Sequence, residues 1–297
     1  MSKTRVLRDA LNGSTIARFM GAHSALTAKL GEEAGFEAIW ASGLEISAAR
    51  ALPDANILSM AECLEAAAEI AGAVDVPVLA DCDSGFGGVG NVAHMVRSYE
   101  ARGLAGVCIE DKQFPKMNSF VEGNQDLAPI GDFAAKITAA KEARTDEDFV
   151  VVARIEAFIA GAGLEEALRR AAVYEAAGAD ALLIHSKIAN ADEVYAFRDA
   201  YRGVLPVIVV PTTYPQVTAT ELGEHGFGGV IYANQGLRAS ISAMRDVLAQ
   251  ISEAGTTYAV EGSIASLKDV FALQNVDELL SRQKRHDELT ATYSAIG

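Results

Sequence analysis

The sequence predicts a single α/β domain over residues 1–297, folded as a (β/α)8 barrel. Short apolar runs such as VPVLA and PVIVV alternate along the chain with Ala- and Glu-rich helical stretches. Unbroken apolar runs are typical of strands buried on both faces of a parallel sheet. The run-and-helix pattern occurs eight times, which favours a closed barrel over a doubly wound open sheet, the second possibility.

The elements follow one another at regular intervals. Strands are predicted at 16–22, 38–42, 78–81, 106–110, 150–154, 181–185, 207–210 and 229–232. Helices are expected to begin near Ser24, Ser59, Asn91, Gly131, Leu164, Asp192, Thr218 and Leu237. Four of the helices should end at Gly35, Gly103, Gly178 and Gly226, because glycine adopts the positive φ of a helix C-cap without strain.

The last part of the chain, from about 258 to 297, is too short for a second domain. It contains a helical pattern near 266–273. We interpret it as a helical extension that packs on the barrel or on a neighbouring subunit.

Composition restricts the class of protein. Hydrophobic residues make up 50% of the chain and the net charge is −15, so disorder is excluded and binding to nucleic acid is disfavoured. The three cysteines form no C-x-x-C pair, which argues against a disulfide framework or a structural zinc site. The sequence contains neither an apolar N-terminal leader nor a membrane-length apolar run. We therefore expect a soluble, cytoplasmic protein without a membrane partner.

Acidic side chains follow three of the predicted strands. Asp81 and Asp83 stand at the end of the strand at 78–81, Glu110 ends the strand at 106–110, and Glu156 follows the strand at 150–154. Barrel enzymes place their chemistry at these carboxyl ends, and Asp81, Asp83 and Glu110 offer hard ligands. Their oxygen atoms suit Mg²⁺ or Mn²⁺ and suit zinc poorly. The alternative is that these carboxylates cap the following helices or pair with Arg154.

Three further residues at strand ends can be interpreted as ligand-binding or as structural. The guanidinium of Arg154 suits a phosphate or carboxylate ligand, or an internal ion pair with Glu110 or Glu156. His185 is either a donor to a ligand or a buried core histidine. Trp40, the only tryptophan, is by itself most simply a core residue.

Two segments next to the strand ends need separate interpretation. Residues 85–90 satisfy G-x-G-x-x-G, but Asp81 and Asp83 precede the motif and would repel a pyrophosphate, which argues against dinucleotide binding. Residues 112–130 form a connection far longer than usual. Lys116 and Asn118 on it can supply donors to an anion below, which favours a gating loop over a tolerated insertion.

The stretch from Glu110 to Ser119, EDKQFPKMNS, resembles the E-D-K-x5-N-S signature of the phosphoenolpyruvate mutases, one branch of the phosphoenolpyruvate mutase/isocitrate lyase superfamily. Further similar segments extend over nearly the whole chain. They include WASGL at 40–44, PD at 53–54, DCDSGFG at 81–87, VARIEAFIAG at 152–161, HSK at 185–187 and SLKDVF at 266–271.

The resemblance implies the barrel fold, with the last helix exchanged between subunits of a homotetramer arranged as a dimer of dimers. It implies a small-molecule substrate, phosphoenolpyruvate or phosphonopyruvate, and Mg²⁺ as cofactor with Mn²⁺ as a substitute. The implied activity is the interconversion of those two compounds.

It also implies residue roles. Asp81 would hold the metal directly, and Asp83 and Glu110 through water. Ser42, Gly43 and Leu44 would hold the pyruvyl group against Trp40. The phosphoryl group would lie among Lys116, Asn118, Ser119, Arg154 and His185, and Asp54 would be a nucleophile or an orienting group.

Two other reactions occur in this superfamily. The rest of the chain resembles phosphonopyruvate hydrolases as well, and YPQ at 214–216 looks more like the hydrolases, but these carry threonine in place of Asn118, so Asn118 favours the mutase. Carbon–carbon lyases carry a catalytic cysteine in the long loop, which has none here. A third class of protein to consider is a non-enzymatic acidic scaffold. Such a protein would have no Mg²⁺-dependent activity, so the substitution Asp81→Ala would have no activity to abolish.

Overall fold

Eight parallel strands form a closed barrel in the order in which they occur along the chain, and β1 also pairs with β8. The structure is a computed structural model that describes residues 1–123 and 125–296. The strands are β1 (Ala17–Ala22), β2 (Ala38–Ala41), β3 (Val78–Asp81), β4 (Gly106–Glu110), β5 (Val150–Ile155), β6 (Ala181–Ile184), β7 (Val207–Val209) and β8 (Gly229–Tyr232). The predicted (β/α)8 barrel is confirmed, and each strand boundary lies within one residue of its prediction.

Helices separate the strands. They are α1 (Lys3–Leu11), α2 (Ala25–Glu33), α3 (Gly43–Ala49), α4 (Met60–Ala73), α5 (Val89–Ala101), α6 (Ile130–Ala143), α7 (Gly163–Ala176), α8 (Asp192–Ala200), α9 (Ala219–Glu224), α10 (Gln235–Ala254), α11 (Leu267–Leu273) and α12 (Val276–Ser294). The eight predicted starts agree within two residues, and the four predicted cap glycines have φ between 82° and 98°. The sequence interpretation missed α1, α3 and α12.

The barrel interior is filled by apolar side chains that alternate along the strands, among them Phe19, Leu79 and Ile231. Leu7 and Leu11 of α1 pack against this interior cluster and are almost fully buried. A second, larger cluster lies between the strands and the surrounding helices. Both clusters fix the strand register, which places Glu110 directly beside Arg154 on the neighbouring strand.

The chain divides into two compact units. The first, Met1–Arg238, contains all eight strands, and the second begins at Ala239. The second unit contains most of α10 together with α11 and α12, and it leaves leucines such as Leu248, Leu279 and Leu280 more than half exposed. The single-domain organisation and the exchange of the last helix stay predictions.

Two sequence-based expectations concern disulfide bonds and membrane-spanning helices. Cys63, Cys82 and Cys108 are all buried and free, as the absence of a C-x-x-C pair suggested. Within the part of the chain that the structure describes, no helix combines the length and apolar character needed to cross a bilayer.

Candidate active site

A cavity of about 50 Å³ lies where the carboxyl ends of the strands meet the long loop after β4. That volume holds only a few water molecules. Ten of the thirteen predicted site residues line it: Trp40, Ser42, Leu44, Asp54, Asp81, Lys116, Asn118, Ser119, Arg154 and His185. Phe120, Val210, Thr212, Ala233 and Asn234 complete the wall. The other three predicted residues, Gly43, Asp83 and Glu110, touch members of this lining.

The acidic side of the cavity is crowded. Burial, reinforced by the nearby carboxylates of Asp83 and Glu110, raises the pKa of Asp81 to about 7, although Lys116 and Arg154 oppose the shift. The pKa of Asp83 is raised for the same reason, burial first. One carboxylate oxygen of Glu110, Oε1, is buried and accepts no hydrogen bond from the described residues. Such a group is unfavourable in the absence of a cation.

Lys116 lies against these carboxylates. Its ammonium nitrogen is 2.7 Å from Oδ1 of Asp54 and 2.8 Å from Oδ1 of Asp83. The buried ammonium therefore neutralises part of the acidic charge. Burial disfavours ionisation of Asp54, but Lys116 and a hydrogen bond from Asn118 outweigh it and lower its pKa. Asp54 is thus an ionised, partly shielded carboxylate.

The opposite side of the cavity is formed by Arg154, Glu156 and His185. Nδ1 of His185 lies 2.9 Å from Oε1 of Glu156 and 2.8 Å from Nη2 of Arg154. This nitrogen can donate to the carboxylate or accept from the guanidinium, but not both at once. Burial lowers the pKa of His185 despite the attraction of Glu156, so the ring is neutral at pH 7. On this side of the cavity, the positive charge is therefore carried by Arg154.

The loop after β4 is fastened to this side by Ser119. Its hydroxyl donates to Oε2 of Glu156 at 2.8 Å and accepts a bond of 2.7 Å from the ammonium of Lys112. The next residue, Phe120, places its ring edge-on to His185 with 5.7 Å between centroids. The loop segment 116–120 is therefore fixed over the cavity at both ends, since Lys116 is held on the acidic side.

A second cluster of buried polar side chains lies behind Glu156 and consists of Asp111, Arg170 and Tyr174. Oδ1 of Asp111 accepts the backbone N–H of Glu156 at 2.8 Å. Oδ2 of Asp111 accepts bonds from Nη1 of Arg170 at 2.9 Å and from the hydroxyl of Tyr174 at 2.7 Å. Nη2 of Arg170 also donates to the carbonyl of Ala128 at the far end of the loop. Helix α7 thereby supports both the strand end and the loop.

The start of α3 forms the part of the wall nearest Asp81. Ser42 caps the helix by accepting the backbone N–H of Glu45. A Cβ atom at Gly43 would lie only 3.2 Å from Oδ2 of Asp81, so the backbone approaches this carboxylate closely because glycine stands there. The first N–H groups of a helix have no acceptor within the helix and are available to an anion.

The charges of the site fit a divalent cation. Five carboxylates, Asp54, Asp81, Asp83, Glu110 and Glu156, face only three cationic side chains, Lys112, Lys116 and Arg154. Oxygen donors of this kind are preferred by Mg²⁺. Among the described residues, no three acidic, histidine or cysteine side chains already stand in metal-binding positions.

Several residues of the site were missed or left undecided by sequence reasoning. Asn56, Asp111, Arg170 and Tyr174 were not singled out, and Glu156 was considered only as an ion-pair partner of Arg154. Arg170 and Tyr174 lie one turn apart on α7, and their inward position follows from the helix period alone. No sequence signal points to Asn56, because its partners belong to segments distant in sequence.

An eight-stranded barrel with buried ionisable side chains gathered at the carboxyl ends of its strands is the architecture of a barrel enzyme. The family described as "Phosphoenolpyruvate phosphomutase" matches residues 7–252. The chain belongs to this family, within the superfamily indicated by its sequence motifs.

Three similar proteins include two named as phosphomutases and one named as a hydrolase. The phosphoenolpyruvate phosphomutase of Tetrahymena pyriformis is 44% identical over 96% of this chain and 95% of its own. A crystal structure of the phosphoenolpyruvate phosphomutase of Streptomyces platensis subsp. rosaceus has a TM-score of 0.94 at 52% identity, with 95% and 98% of the two chains covered. A phosphonopyruvate hydrolase in complex with oxalate and Mg²⁺ has a TM-score of 0.92 at 45% identity, with 96% and 99% covered. The chain is therefore an enzyme of this family.

Proposed function

We propose that this enzyme interconverts phosphoenolpyruvate and phosphonopyruvate. In the direction of phosphonopyruvate, the bond between phosphorus and the enol oxygen breaks and a bond between phosphorus and C3 forms, with no water consumed. The observation that supports this choice is the position of Asn118, whose side-chain nitrogen donates to Oδ2 of Asp54 at 2.7 Å on the cavity wall. Asparagine at this position is the feature that separates the mutases from the hydrolases.

The pyruvyl part of the substrate is proposed to bind at the start of α3. The backbone N–H groups of Gly43 and Leu44 belong to the first turn, so they are free to donate to a carboxylate. The indole of Trp40 forms the apolar wall beside them. Two donors and one flat ring suit a planar enolate.

Asp81 is proposed to hold Mg²⁺ directly, and Asp83 and Glu110 to hold its water ligands. The bound cation would supply Lewis-acid stabilisation of the negative charge on the enolate oxygen. The orphaned Oε1 of Glu110 and the excess of carboxylates support this assignment, as does the Mg²⁺ in the related hydrolase. Mn²⁺ offers the same coordination chemistry and is proposed as a substitute.

Arg154 and the neutral ring of His185 are proposed to hold the phosphoryl oxygens from one side, and Lys116, Asn118 and Ser119 from the loop. Phosphoryl transfer through a loose transition state demands positioning and charge stabilisation more than covalent chemistry. Asp54 is ionised and lies beside Asn118, so it is placed either to accept the phosphoryl group or to orient it.

The loop at 112–129 is proposed to be a gate. A cavity of about 50 Å³ is too small for phosphoenolpyruvate, so the loop must move before the substrate enters. When closed it excludes bulk water, which would otherwise capture the phosphoryl group. Phe120 contributes an apolar side chain to this cover.

The enzyme is further proposed to be cytoplasmic and to act as a homotetramer, a dimer of dimers with the last helix exchanged. The exposed leucines of the second compact unit support burial against another copy of the chain. Analytical ultracentrifugation tests this assignment, and a monomer at micromolar concentration would contradict it.

Hydrolysis of phosphonopyruvate to pyruvate and phosphate is the second candidate, supported by the 45% identical hydrolase structure. Phosphorus NMR of the protein with phosphonopyruvate and Mg²⁺ separates the two reactions. We expect phosphoenolpyruvate to appear, and EDTA to prevent its formation. Inorganic phosphate and pyruvate without phosphoenolpyruvate would assign the chain to the hydrolases and overturn the argument from Asn118.

A further inference from the structure

Asn56 connects the acidic side of the cavity to the loop above it. Its side-chain nitrogen donates to Oδ2 of Asp83 at 2.7 Å. Its side-chain oxygen accepts the backbone N–H of Lys116 at 2.6 Å. One amide group therefore joins a carboxylate just after β3 to the main chain of the loop. The bond to the loop connects residues that lie 60 positions apart in the sequence.

The backbone of Asn56 holds this amide in place. Its φ of 55° lies in the left-handed region, which asparagine adopts more readily than most residues. The turn that contains it also carries Asp54, the partner of Lys116 and Asn118. The turn thus makes three polar contacts with the described part of the loop, and only that of Asn56 involves the loop's main chain.

We propose that Asn56 is a positioning residue that holds the loop closed and fixes Asp83 at the same time. The proposal rests on the loop opening inferred under the proposed function. When the loop opens, the bond to the N–H of Lys116 is lost together with the contacts of its ammonium to Asp54 and Asp83. Closure then restores Lys116 to Asp54 and Asp83 in one step.

Cleavage by trypsin after Lys116 measures this closure without reference to the reaction. The side chain of Lys116 is only 5% exposed, so cleavage requires the loop to open. The informative variant is Asn56→Gly, since glycine keeps the left-handed backbone and removes both hydrogen bonds. We expect the peptide ending at Lys116 to appear about 5-fold faster, the effect of one net hydrogen bond.

Two further variants make the experiment specific. Asn56→Asp keeps the oxygen that accepts from Lys116 but sets a second carboxylate against Oδ2 of Asp83, so it should be cleaved at least as fast as Asn56→Gly. Asn275→Gly is the matched control, because Asn275 has the same φ of 55° and makes no side-chain capping bond. It should leave cleavage at Lys116 unchanged.

The positioning role also predicts how catalysis responds. With phosphonopyruvate, Asn56→Gly should raise KM several-fold more than it lowers kcat, because the loop must be ordered on binding. The midpoint of urea unfolding should fall by no more than the effect of the same net hydrogen bond.

The proposal is overturned if Asn56→Gly or Asn56→Asp is cleaved at the wild-type rate. Faster cleavage at every site, together with a larger fall in the urea midpoint, would reduce Asn56 to a general stabilising role and also overturn it. Because proteolysis does not depend on the products, failure of the proposed mutase reaction leaves this test intact.

Discussion

Asn118 and Asp54 meet over the cavity, with 2.7 Å between the side-chain nitrogen of the first and Oδ2 of the second. The orientation of the Asn118 amide is fixed, because its oxygen accepts the backbone N–H of Phe120 at 3.0 Å. The loop therefore delivers a donor to one carboxylate in a defined direction. This contact joins the residue on which the proposed mutase reaction rests to an ionised carboxylate of the cavity wall.

Replacing Asn118 by alanine should lower kcat/KM for phosphoenolpyruvate formation about 10²-fold to 10³-fold, as expected when a donor aimed at the reacting group is lost. Phosphorus NMR with phosphonopyruvate measures the rate. Asn12→Ala is the control, because Asn12 is exposed and bonds only within the end of α1. Equal rates for wild type and Asn118→Ala would remove Asn118 from the reaction.

Replacing Asp81 by asparagine should stabilise the metal-free protein at pH 8 by about 1–3 kcal/mol, because a neutral amide removes a carboxylate disfavoured by burial and by two neighbours. Added Mg²⁺ should raise the Tm of the wild type and leave that of the variant unchanged. Thermal unfolding followed by circular dichroism measures both. Exposed Asp75→Asn serves as the control, and a lower Tm for metal-free Asp81→Asn would contradict the expectation.

Glu45 gives stability a pH dependence. Burial raises its pKa to about 7, only partly offset by the hydrogen bond from the N–H of Leu237. A raised pKa means that the folded state binds the proton more tightly, so this contribution is complete below about pH 4.5 and is lost as the pH rises through 7. Glu45→Gln should therefore flatten the fall in unfolding free energy between pH 5 and pH 8, by about 1–3 kcal/mol.

Urea titrations at several pH values measure this slope. Glu69 is exposed on α4, so Glu69→Gln should keep the wild-type slope. An unchanged slope in Glu45→Gln would show that another group controls the pH dependence.

Removing the hydroxyl of Tyr174 should destabilise the protein by about 1.5–3 kcal/mol, because the hydroxyl donates to the buried carboxylate of Asp111 at 2.7 Å. Urea unfolding of Tyr174→Phe measures the loss. Tyr258 is 89% exposed, so Tyr258→Phe should match the wild type. If both variants unfold alike, the hydroxyl of Tyr174 contributes nothing to the support of Glu156.

The barrel was predictable because its signal is local. The strands are buried on both faces, so each appears as an unbroken apolar run, and glycine marks the helix ends that need positive φ. Helix α3 was missed because seven residues beginning with glycine carry little helical signal, and its stability comes from packing. Helix α1 was missed for a different reason, since its two buried leucines, Leu7 and Leu11, owe their burial to contacts with the barrel interior.

The candidate site was predictable to the extent that it lies at strand ends. Asp81, Glu110 and Arg154 are the last or nearly the last residues of their strands, so topology alone brings them together. The contacts of Asn56 and Arg170 depend on how a turn and a helix face the loop, and no local pattern encodes that orientation. The contact between Lys116 and Asp83 is likewise visible only in three dimensions.

Trp40 lies on the cavity wall with 3% of its surface exposed, and it is the only tryptophan of the chain. All of the indole fluorescence of the protein therefore arises on the wall of this cavity. Under the proposed function, spectral shifts on adding phosphonopyruvate or on closing the loop would report events at this one place, without a label and without averaging over other tryptophans. The enzyme thus carries its own optical probe, suited to stopped-flow measurement of steps that precede the chemistry.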